Sequence, residues 1–142
     1  MDDLQRLGVP KDRGYKEMCD LIDHLKEAHN EEGIINDSDD LLRDPKGILR
    51  ALFKAIGLPF DEKLLSWEAG DAITKQWVVS NLDMSGNLTG EYFKTALEST
   101  AFTKPRALPD RSSLSADILR CVDFSIPYYE KMHARRLKPL SR

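Results

Sequence analysis

The run from Asp44 to Pro59 fixes a helix at both ends before anything else about the chain is considered. Asp44 is a short carboxylate that can accept hydrogen bonds from free N–H groups at a helix start, and Pro45 has the fixed φ that suits the first helical position. Ile48, Leu49, Leu52, Phe53 and Ile56 then recur at helical spacing and make one apolar stripe. Gly57 permits the left-handed turn that ends helices, and Pro59 prevents continuation. A second short helix is predicted from Asp61 to Leu65. Upstream, Asp37, Asp39, Asp40 and Asp44 form a carboxylate-rich turn.

Helical spacing dominates the remainder. Met18, Leu21, Ile22, Leu25 and Ala28 predict a helix over Tyr15 to His29, with Gly33 as its end. Met1 to Arg13 reads as a turn-rich leader. Ile34-Ile35 is a very short apolar run that could be a buried strand, although it would need a partner. Gln76 to Ser80 could be strand or helix, and Asn81 to Gly90 reads as a loop. Tyr92, Phe93, Ala96 and Leu97 suggest a helix ending near Ser99. Leu114, Ile118, Val122, Ile126, Tyr129 and Met132 mark a long helix between Ser113 and Leu137, and Pro127 should kink or divide it near Ser125. The expected fold class is mainly α with one or two short strands.

Composition narrows the function classes. The 142 residues carry a net charge of −3, which disfavours sequence-independent binding to nucleic acid. Arg135, Arg136, Lys138 and Arg142 are the dense basic stretch, and they suit a helix C-terminus. No run approaches the ~20 apolar residues of a membrane span. Cys19 and Cys121 each sit in an amphipathic pattern, so free thiols in a reducing, cytoplasmic setting are expected.

The chemistry-bearing residues offer few sharp constellations. Oxygen ligands at Asp37, Asp39, Asp40 and Asp44 would suit calcium or magnesium, but turn and cap roles account for them better. Asp83 to Glu91 resembles a calcium loop superficially, yet Leu88 replaces the turn glycine and Lys94 the bidentate glutamate. His24 and His29 are five apart and share a helix face poorly, so no zinc set forms with them. His133 beside Arg135 and Arg136 fits a helix end. No Ser or Cys lies in a nucleophile elbow, so no catalytic residue is assigned and no metal is expected. Trp67 and Trp77 are core candidates, with ligand stacking as the alternative. Of the adjacent Tyr128 and Tyr129, one should face inward and one outward. Lys104, Arg106 and Arg111 flank two prolines; they could bind phosphate or sulfate through charge-assisted hydrogen bonds, or simply solubilise a connection.

Read together, Ile35 to Leu42, Asp44-Pro45, Ile48 to Ala51, Gly57 to Asp61 and Leu65-Ser66-Trp67-Glu68-Ala69-Gly70 resemble the C-terminal part of a P-loop sulfotransferase-like family. Glu98-Ser99-Thr100-Ala101-Phe102 is similar to that family's Ser-Thr-Gly-Phe element, with Ala101 in place of the glycine. Tyr128 to Met132 extends the likeness, so it covers most of the chain. The resemblance implies the C-terminal portion of an α/β P-loop fold, and the sulfonate-donor nucleotide PAPS as the ligand of full-length members. It also implies that the donor-binding loop, Arg and Ser lie upstream of the matched region. No P-loop pattern occurs in these 142 residues. The chain therefore reads as a single partial domain over residues 1–142, truncated and inactive alone. The alternative is a small helical interaction module descended from that family. Expected partners are a separate or missing N-terminal half, or a second copy meeting an exposed apolar face.

Overall fold

The computed structural model describes residues 14–70 and 94–140. The leader, the Gln76–Ser80 run, the calcium-loop-like segment, Trp77 and Arg142 lie outside the described residues. Four α-helices are named here in chain order: α1 Tyr15–His29, α2 Ser38–Arg43, α3 Pro45–Ala55 and α4 Ala116–Ala134. Short 3-10 turns cover Glu62–Leu65 and Arg111–Ser113, and residues 94–98 are also helical. The fold is mainly α. Among the described residues the extended pairing is a lone antiparallel bridge between Ser66 and Ala101.

α3 begins and ends as its sequence dictates. The Asp44 carboxylate accepts the Gly47 N–H at 2.9 Å. At the other end Gly57 takes φ 71°, the Leu58 N–H donates to the Phe53 carbonyl, and the Gly57 N–H donates to that of Lys54. That pair of bonds is the Schellman pattern, which satisfies carbonyls left over at a helix end. The predicted stripe is buried unevenly: Ile48 is fully enclosed, whereas Ile56 is exposed.

Three expectations change. α1 stops at Asn30, not Gly33; Asn30 adopts the left-handed region at φ 53° and its N–H closes onto Leu25 and Lys26. Asparagine tolerates that region better than most residues. Ile34-Ile35 is not a strand: Ile34 is exposed, and the Ile35 carbonyl accepts one bond, from the Leu137 N–H at 2.8 Å. Finally, α4 runs through Pro127 undivided. The aspartate-rich turn also contains a helical turn of its own, α2, capped by Asp37.

α1 packs along α4, and α2 packs on α3. Contacts along the length of α1 meet the C-terminal half of α4. Tyr15 meets Tyr129 edge-on, the Cys19 thiol donates to the Tyr128 carbonyl at 3.3 Å, and Asp23 pairs with Lys131 and Arg135. Among the described residues the buried apolar side chains are Cys19 on α1, Ile48 and Ala51 on α3, and Met132 on α4. The segment after α4 returns across the α2–α3 unit, where the Leu140 N–H donates to the Gly47 carbonyl at 3.1 Å. No helix of the described residues is long and apolar enough to cross a membrane.

Candidate functional site

A cavity of about 560 Å³ opens between the start of α2 and one face of α4. Ile118, Val122 and Ile126, spaced four residues apart, supply its apolar wall, and Cys121 and Ser125 lie beside them. Leu108 reaches it from the proline-bounded connection, while Tyr15, Asp37, Asp39 and Tyr129 form a polar end.

That polar end is a closed network. Tyr129 donates its hydroxyl to Asp37 Oδ2 at 3.0 Å, and Asp37 Oδ1 accepts the Asp40 N–H at 3.0 Å as the α2 cap. Asp40 in turn accepts from Arg136 Nε at 2.6 Å. Arg136 Nη1 donates to the His133 carbonyl at 2.8 Å and lies 3.2 Å from His133 Nδ1. The His133 ring stacks on Tyr129 at 5.1 Å, which returns the network to its start.

The electrostatics follow from this geometry. The hydrogen bond from Arg136 holds the Asp40 carboxyl below the usual carboxylate range, against a partial desolvation that works the other way. Burial, then the hydrogen bond to Asp37, pushes the Tyr129 phenol up, so it stays protonated and acts as a donor. Burial likewise raises the Cys19 thiol, which makes it a poor nucleophile.

The sequence-derived candidates fall in different places. Lys104 and Arg106 are exposed on the connection between residues 102 and 110. Arg111 sits at the start of a 3-10 turn with its guanidinium on Asp123 at 2.6 Å. The four aspartates serve as caps and ion-pair partners: Asp37 and Asp44 cap α2 and α3, Asp39 pairs with Arg43 at 3.0 Å, and Asp40 pairs with Arg43 and Arg136. Among the described residues no group of three or more His, Cys, Asp or Glu is placed to hold a metal ion. His24 and His29 do approach each other, with ring centroids 6.1 Å apart, because His29 lies in the last turn of α1.

Trp67 is not core. It is 41% exposed, donates its indole N–H to Ser99 Oγ at 3.2 Å, and packs edge-on against Phe102. The Trp67 N–H also donates to the Thr100 carbonyl at 2.9 Å, so the Leu65–Gly70 and Glu98–Phe102 elements are zipped together. Ala101 needs no left-handed backbone there, since Asn30 is the one non-glycine residue with positive φ among those described. Replacing glycine by alanine is therefore accommodated without backbone strain. Tyr129 and Arg136 were the residues that sequence reasoning undervalued. The four-residue spacing of Tyr129 and His133 was the available signal for a shared helix face, whereas Arg136 lies beyond the end of α4.

A phosphosulfate group needs free N–H donors or unengaged cations. Among the described helix starts, those of α3 and α4 are partly capped, whereas α1 begins at Gly14 with no side-chain cap. α3 and α4 turn Asp44 and Ser115 onto their own first-turn N–H groups, and α1 carries Glu17 in its first turn. At α3 the Asp44 carboxylate takes the place an anion would occupy.

Comparison with known proteins places these elements. A family model described as a sulfotransferase domain matches residues 22–136. Branched-chain-amino-acid aminotransferase-like protein 1 of Arabidopsis thaliana is 29% identical over 121 residues, covering 82% of this chain and 19% of that protein. Branched-chain-amino-acid aminotransferase-like protein 2 of the same plant is 29% identical over 100 residues, covering 68% of this chain and 15% of that protein. The chain thus spans less than a fifth of the length of these curated relatives. No solved structure matches it. With the family match running from within α1 to the residue that anchors Asp40, the chain belongs to the sulfotransferase domain family.

Proposed function

We propose that this chain is the C-terminal, helical part of a sulfotransferase-type domain and transfers no sulfonate group by itself. The observation that carries this reading is that no glycine-rich phosphate loop occurs in the sequence, while α3 and α4 each turn a side chain, Asp44 and Ser115, onto a first-turn N–H of their own. The donor cradle would come from an N-terminal P-loop portion, encoded with this one or separately. A reducing cytoplasm suits the two unpaired thiols.

The decisive experiment incubates the purified chain with PAPS and a panel of alcohols and phenols. Turnover at the chain-free background is expected, and any transfer above it overturns the reading. Mixing with a P-loop-containing N-terminal portion should raise PAPS binding, and no rise on mixing counts against complementation. A second reading, a helical interaction module, is favoured by the exposed apolar side chains Leu21, Ile118 and Phe124 on α1 and α4. An upstream in-frame P-loop sequence would argue against that module.

A further inference from the structure

The cavity beside α4 has a character of its own, independent of whether the chain transfers sulfonate. Its volume of about 560 Å³ suits a small molecule, since such sites hold roughly 300–1,000 Å³. Its wall is apolar over the Ile118, Val122 and Ile126 face. Leu108 stands at its mouth 86% exposed, so covering a bound apolar body would remove that side chain from water.

The polar end has a sign. Asp37 accepts neutral donors at each oxygen, the Asp40 N–H and the Tyr129 hydroxyl, and among the described residues no cation is paired with it. Asp39 and Asp40 share Arg43, and Asp40 also takes Arg136. Arg43, Arg136 and the nearby Lys138 act on Asp39 and Asp40, so among the described residues Asp37 is the carboxylate of this corner left without an ion pair, which favours a cationic head over an anionic one at that point.

We propose that this cavity binds a small amphiphilic amine, its apolar body against Ile118, Val122 and Ile126 and its ammonium directed to Asp37. An amphiphilic anion would be repelled by that carboxylate.

The thiols offer a local readout, because Cys121 lines the cavity and Cys19 is buried elsewhere at 3% exposure. The full chain is treated with iodoacetamide in the presence of octylamine, octanol or octanoate, and alkylation is mapped by peptide mass spectrometry. Octylamine should slow labelling of Cys121 severalfold with no change at Cys19; octanol should do less and octanoate least. Asp37→Asn keeps a helix cap and a hydrogen-bond acceptor but removes the charge, so it should cut the advantage of the amine by about three- to tenfold. Val122→Trp fills the cavity and should abolish protection. Leu108→Lys, at an exposed position, should weaken it without disturbing the fold. Equal protection by octanoate and octylamine overturns the proposal. So does protection that persists in both Val122→Trp and Leu108→Lys, or octylamine accelerating Cys19, which would signal unfolding instead of binding.

Discussion

Helix α3 is 11 residues long and α4 is 19, yet the shorter helix buries Gly47, Ile48 and Ala51 while the longer buries Ser125 and Met132. α3 is capped at both ends by its own neighbours in sequence, and the returning segment after α4 covers its first turn. α4 is capped by Ser115 at the start, but much of its surface, including Ile118 and Phe124, faces outward. The contrast separates two questions: local signals decide that a helix forms, and distant chain decides how much of it is buried.

The largest way to break that contrast is at its centre. Ile48→Ala should cost about 2–5 kcal/mol, because it deletes a fully enclosed side chain. Ile118→Ala, on the exposed side of α4, should cost under about 1 kcal/mol. Urea denaturation of both variants reads the difference; equal costs would show that the two helices are not held differently.

Next comes the packing of the returning segment. A Cβ on Gly47 would stand 2.2 Å from Asp44 Oδ2 and 2.8 Å from Pro139 Cβ. Gly47→Ala must therefore displace either the cap or the segment above it, and a loss of about 1–3 kcal/mol is expected despite alanine's better helix propensity. A variant more stable than the parent in a thermal melt would show that Pro139 yields freely.

The Asp40–Arg136 pair ties α2 to the end of α4. Its folded carboxyl is lowered, so its stabilisation is present above the unfolded value of about 4 and is lost as pH falls through the folded value. Asp40→Asn should destabilise by about 1–2 kcal/mol at pH 7 and flatten the acid limb of a stability–pH curve. An unchanged acid limb would remove this pair from the account.

The smallest effect concerns Tyr129. Its phenol is raised, so its contribution is complete below the unfolded value of about 10 and is lost as pH rises through the folded value. Tyr129→Phe should cost about 0.5–1.5 kcal/mol at neutral pH and flatten the alkaline limb, with ultraviolet titration losing one late-ionising phenol. If a late-ionising phenol persists in that variant, the late titration does not belong to Tyr129.

The sequence by itself determined α3. Asp44, Pro45, Gly57 and Pro59 act through neighbours within a few residues, so their roles could be read before any contact was known. The period over Tyr15 to His29 and the mainly α class were legible for the same reason. Tertiary structure alone decided what lies far apart in sequence. Tyr129 reaches Asp37 across 92 positions, Arg136 reaches Asp40 across 96, and Cys19 reaches Tyr128 across 109. The same is true of Ile35, whose carbonyl is met by one N–H from the returning segment and not by a strand, and of Trp67, whose indole found Ser99 instead of the core. Caps and turns are short-range events with few alternatives; cavities and ion pairs depend on how separated elements meet, which no local pattern encodes.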